Sequence, residues 1–168
     1  MRWIWLDKIL TLEKAKHCVA IRNVTSAEDL LHDHFEATEH HGLIGMMPNS
    51  LIIEGMAQTA GVLVGHANDF KHKVILAKIN KAEFDPAVHA RPGTTLRHTA
   101  TLERLDDTGG QTRGVVDLID SATGQARPLG TVDLMFSHIE NNRQGLEFPE
   151  HNFVFSSLLK ELLDYSGY

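Results

Sequence analysis

Between Met46 and Gly65 the chain runs for twenty residues with one formal charge, the carboxylate of Glu54. An unpaired charge in apolar surroundings is costly, so this group is expected either to find hydrogen bonds or to shift its pKa upward and spend time protonated. In that state it is a proton donor near neutral pH. Gln58 follows four residues later. On a helix the two side chains share a face, and the amide can hold the carboxyl in one orientation. Upstream, His32, His34, His40 and His41 crowd a short segment, and imidazole is the side chain best matched to proton abstraction at neutral pH. The start of the helix is a third element, because the backbone N–H groups of Asn49, Ser50 and Leu51 lack helical partners and stand at the positive end of the dipole. Such donors stabilise an enolate-like oxygen. Acid, base and oxyanion donors together describe removal of a proton beside a carbonyl, with loss of water from the neighbouring carbon.

These groups need a rigid carrier. Pro48 suits the first turn of a helix and Asn49 or Ser50 can cap it, so the apolar run predicts a helix over 48–66. The run has the length of a membrane span, but Pro48, Asn49, Glu54, Gln58 and its glycines favour a helix buried in protein. A β-branched stretch over 17–25 predicts a strand, followed by a helical turn at 28–31. After a turn at 68–71, strand character recurs over 73–85, 94–104, 112–120 and 129–138. Asp106-Asp107-Thr108-Gly109-Gly110 and Ser121-Ala122-Thr123-Gly124 read as hairpin links, and Ala90-Arg91-Pro92-Gly93 as a break. Leu96, His98, Ala100 and Leu102 alternate with Thr95, Arg97, Thr99 and Thr101, which gives that strand one buried and one wet face. Leu158, Leu159, Leu162 and Leu163 predict an amphipathic helix over 157–164. Strand, long apolar helix, then antiparallel strands define an α+β domain, most economically one sheet wrapped around one helix.

The 168 residues fit one domain, and 42% hydrophobic with 23% charged residues places the chain among soluble globular proteins and argues against disorder. The net charge is −6 with no basic stripe, so nucleic acid is not an expected partner. Cys18 is the sole cysteine, and the opening Met-Arg-Trp-Ile-Trp-Leu-Asp-Lys places an acid where a signal peptide would stay apolar. A cytoplasmic location is expected. The clustered histidines raise zinc binding, but they follow no fixed ligand spacing, and neither a metal nor a cofactor is expected.

Asp33-His34-Phe35, followed by Met47-Pro48-Asn49-Ser50-Leu51-Ile52-Ile53-Glu54-Gly55-Met56-Ala57-Gln58, resembles the Gly-His-Phe and Met-Pro-Gly-x-Leu-Ile-x-Glu-Ala-Met-Ala-Gln signature of the 3-hydroxyacyl carrier-protein dehydratases. The resemblance extends to Trp5-Leu6-Asp7-Lys8, to 21–24 and to Ala77-Lys78-Ile79-Asn80-Lys81-Ala82-Glu83-Phe84, reaching about residue 140. It implies a hot-dog fold over 1–140, an antiparallel sheet wrapped around one long central helix, with 141–168 an extension whose short helix packs on the same domain. By the same resemblance His34 matches the catalytic histidine and Glu54 the catalytic carboxylate. Asn49 stands where the family's glycine donates the oxyanion N–H, with Ser50 beside it, and Gln58 matches the glutamine next to the acid.

In that family the histidine and carboxylate of one site come from two subunits, so the resemblance implies a homodimer, or a higher oligomer of dimers. The acyl chain would lie in a tunnel along the helix and dimer interface. The implied substrate is a 3-hydroxyacyl thioester of acyl-carrier protein or coenzyme A. The implied product is the trans-2-enoyl thioester of fatty acid or related lipid biosynthesis. Two further readings use the same residues: a hot-dog acyl-CoA thioesterase in which Glu54 activates water, and a non-catalytic acyl-thioester-binding subunit.

Overall fold

The computed structural model describes residues 3–33, 39, 45–139 and 157–168. Its strands are β1 (Lys8–Glu13), β2 (His17–Val24), β3 (Lys73–Phe84), β4 (Thr94–Asp106), β5 (Gly109–Asp120) and β6 (Ala126–Ile139). They form one antiparallel sheet in the order β1-β2-β4-β5-β6-β3. The helices are α1 (Asp29–Asp33), α2 (Asn49–Ala67) and α3 (Ser157–Ser166).

Every residue of α2 from Gly55 to Gly65 is buried. A helix that is apolar on all sides is satisfied only when protein surrounds it, and here the sheet curls around it. Met56, Val62, Leu63 and Val64 are fully enclosed, each contributing about 2 kcal/mol of hydrophobic stabilisation. Small residues make the close wrap possible: a Cβ added at Gly114 on β5 would lie 2.6 Å from the sulfur of Met56. The inward face of β4 is the expected one, with Leu96, His98 and Ala100 buried against the helix. Among the described residues no helix is long and apolar enough to cross a membrane.

The strand β1 is absent from the sequence-based expectation, and its irregularity explains why. Its register with β2 shifts between Ile9 and Thr11, so Ile9 and Leu12 both point inward across a spacing of three. The bulge removes the period of two that marks a strand in sequence. The outer edge of β1 is covered by α3, which buries Leu159, Leu162 and Leu163 and accepts the Ile9 N–H on Ser166 Oγ at 3.2 Å. At the opposite edge, β3 is exposed from Leu76 to Glu83.

Candidate active site

Glu54 is half-buried in the second turn of α2. Gln58, one turn further on, donates from Nε2 to Glu54 Oε1 at 2.9 Å, which is the pairing expected of their spacing. The segment preceding β1 crosses the helix here. Trp5 N–H donates to Gln58 Oε1 at 2.9 Å, and this fixes the amide, because the oxygen must face a donor and the NH2 must then face the carboxylate. The Trp3 indole N–H donates to Glu54 Oε1 at 3.0 Å. The isolated carboxylate of the apolar run has thus found two hydrogen-bond donors.

The crossing segment is itself braced. The rings of Trp3 and Trp5 meet edge to face, with centroids 5.5 Å apart, and the Arg22 guanidinium lies over the Trp5 ring, 5.6 Å from its centre. Arg22 is held by Asp7 at 2.5 Å and by Glu28, while Asp7 also accepts the Asn23 N–H at 2.6 Å. A cation held by two carboxylates and spread over an aromatic face is a rigid support.

Gly55 permits this approach. A Cβ there would lie 2.8 Å from His98 Nε2 and 3.2 Å from the Trp5 carbonyl oxygen. The dehydratase signature has alanine at this position; here the space is taken by the imidazole and the backbone of the crossing segment. Burial holds His98 down to about 4, so its ring is neutral behind the helix. Among the described residues neither ring nitrogen has a hydrogen-bond partner.

The helix start differs in detail from the expectation. Pro48 is the N-cap, with extended φ and ψ of −62° and 142°, and no side chain caps the helix. Asn49 and Ser50 are therefore the first helical residues and not caps, both exposed. The Leu51 N–H is not an unpaired donor either, since it bonds the Pro48 carbonyl at 3.0 Å, and Ile52 N–H bonds the same oxygen at 3.2 Å. Proline cannot donate, but its carbonyl takes both. Among the described residues the N–H groups of Asn49 and Ser50 are left as the open donors at the positive end of α2. The preceding segment is anchored by Met47 N–H to the Ala90 carbonyl at 2.8 Å. Five residues at the helical rise put Glu54 about 7 Å along the axis from Asn49.

Thus Asn49 and Ser50 open α2, Glu54 follows in its second turn, and Gln58 stands at its middle, one turn beyond Glu54. His34, His40 and His41 lie outside the described residues, and so does the expected juxtaposition of His34 with Glu54. Among the described residues no cluster of three His, Cys, Asp or Glu side chains could hold a metal ion. Trp3 and His98 were not singled out from sequence as members of the site. The presence of both tryptophans within the first five residues was the available sign that this segment is tied down.

One antiparallel sheet curled around a buried helix is the hot-dog fold. Solved structures agree on the fold. The dehydratase heterocomplex ApeI:P from Xenorhabdus doucetiae superposes with a TM-score of 0.59 at 20% identity, covering 82% of this chain and 84% of that one. A thioesterase family protein from Silicibacter pomeroyi gives 0.62 at 13% identity, covering 80% and 85%. The family model described as a FabA-like domain matches residues 3–122. The 3-hydroxyacyl-acyl-carrier-protein dehydratase FabZ of Caldanaerobacter subterraneus subsp. tengcongensis is 38% identical over 104 residues, 61% of this chain and 68% of the relative. The FabZ of a Thermoanaerobacter species is 30% identical over 135 residues, 80% of this chain and 85% of the relative. This chain belongs to the FabA-like family.

Proposed function

We propose that this protein is a dehydratase that converts 3-hydroxyacyl thioesters into trans-2-enoyl thioesters in fatty acid biosynthesis or a related lipid route. The observation that carries this reading is Glu54: the chain's family membership is joined to a carboxyl held on one oxygen by Gln58 and Trp3 at the mouth of a buried helix. His34 removes the proton from C2. The electron pair left behind forms the C2–C3 double bond as the C3–O bond breaks, and Glu54 protonates the departing hydroxyl, so that water leaves. While charge builds on the thioester oxygen, the N–H of Asn49, with that of Ser50, stabilises it. The acyl group is carried by acyl-carrier protein or coenzyme A.

The site is completed in a homodimer, with His34 from one protomer and Glu54 from its partner, and the acyl chain lies in a tunnel along α2 and the interface. Support comes from the sheet edges. A helix covers β1, whereas β3 leaves a twelve-residue edge with Leu76 40% and Ile79 44% exposed. An open edge of that length is a template for pairing with a second copy. Residues 1–140 form the catalytic domain and 141–168 an extension whose helix α3 rests on β1. The lone thiol, Cys18, accords with a cytoplasmic setting.

The test is formation of the conjugated enoyl thioester from short and long 3-hydroxyacyl thioesters, followed by absorbance, with free thiol measured in parallel. His34→Ala and Glu54→Gln are each expected to leave a folded protein and to lower turnover by roughly a hundredfold or more, the usual contribution of a positioned acid or base. Thiol release without enoyl formation would replace dehydration by hydrolysis. Wild-type turnover in both variants would remove the assignment.

A further inference from the structure

Two donors reach one oxygen of Glu54: the Gln58 amide at 2.9 Å and the Trp3 indole at 3.0 Å, both to Oε1. An oxygen that accepts two N–H groups is the unprotonated oxygen of its carboxyl. Among the described residues Oε2 accepts no hydrogen bond, so it is the oxygen left open to the substrate. We propose that Trp3 is a positioning residue: with Gln58 it locks Oε1, presents Oε2 to the substrate, and stabilises the carboxylate formed when the proton departs. This rests on the assignment of Glu54 as the proton donor.

A single hydrogen bond from a half-exposed tryptophan would order little, because holding a large exposed side chain costs conformational entropy. Trp3 is 52% exposed, yet its segment is pinned on several sides. The Trp5 N–H is bound by Gln58 Oε1, the Trp3 ring is braced edge to face by Trp5, and Trp5 is backed by Arg22. The Trp5 carbonyl passes close to the helix, 3.2 Å from where a Cβ at residue 55 would stand. The same amide that holds Glu54 thereby also holds the strap that delivers the indole. The donors are in place before charge appears on the carboxylate, so they need no reorganisation during the reaction, which is the condition under which such contacts act on a transition state.

The structure contains two tryptophans, so nitrogen-labelled protein gives two indole N–H resonances, and Trp3→Phe assigns them. In Glu54→Ala the Trp3 resonance is expected to shift toward that of a water-bonded indole, while the Trp5 resonance, whose Nε1 is buried without a partner among the described residues, moves little. Trp3→Phe keeps an apolar ring beside Trp5 but loses the donor. Its kcat on a 3-hydroxyacyl thioester is expected to fall about tenfold with KM nearly unchanged, the loss of one charge-assisted contact made to the transition state. Trp3→Ala should fall equally. A Trp3 resonance that ignores Glu54→Ala overturns the proposal. So does wild-type kcat in Trp3→Phe alongside an inactive Glu54→Gln, which leaves the role of Glu54 intact. Wild-type turnover in Glu54→Gln would overturn the functional reading first and the positioning role with it, while the resonance would still report whether the contact exists.

Discussion

His98 is a fully buried imidazole with no hydrogen-bond partner among the described residues, packed behind α2, and its burial has a measurable consequence. Burial lowers His98 from its ordinary 6.5 to about 4, so between those values the unfolded chain binds a proton that the folded chain refuses. Stability therefore rises with pH through this window and is lost as pH falls from 6.5 toward 4. Between neutral pH and about pH 5 the loss from this one residue is about 2 kcal/mol. Urea denaturation at both pH values should show His98→Leu losing that much less stability than wild type. An identical loss in the two proteins would mean that the ring is not sequestered from protons. At this scale the sequence exposes only what lies on one element. Glu54 and Gln58 were readable as a pair because a helix brings residues four apart together. Trp3 meets Glu54 across fifty-one positions, and His98 meets Gly55 through strand packing, and neither separation leaves a local pattern.

The elements follow from periodicity wherever the period is intact. The helix α2 and the strands β2 to β6 stand within a few residues of their predicted bounds, because alternation, apolar runs and turn residues all survive in them. Sequence places Pro48 in the first turn of α2 and the structure places it one position outside, since proline suits both places and only the backbone angles decide. The bulge in β1 hid a strand altogether. Unlike β1, the strand β3 keeps its outer edge open, with Ile79 at its middle. The strand already carries Lys78 and Lys81 on either side of Ile79, so its exposed apolar side chains, Leu76 and Ile79, are what favours contact with a second chain, and a further lysine there replaces apolar contact with charge. Ile79→Lys is accordingly expected to shift the sedimenting species from dimer to monomer, with activity falling in step. A variant that sediments and turns over as wild type would detach assembly from this edge.

In the proposed dimer, α2 of one copy carries the acid and the second copy supplies the base. A twofold dimer makes two such sites by symmetry, each using His34 from one protomer and Glu54 from the other. The most direct test mixes His34→Ala and Glu54→Gln subunits after separate purification, under conditions that allow exchange. Each parent is inactive alone, but the mixed dimer contains one site with both native residues. Random exchange at equal amounts makes about half of the dimers mixed, with one working site of two, so roughly a quarter of wild-type enoyl-thioester formation should return. If the mixture stays as inactive as its parents although mixed dimers form, the acid and base do not meet across subunits, and the proposed elimination loses its site.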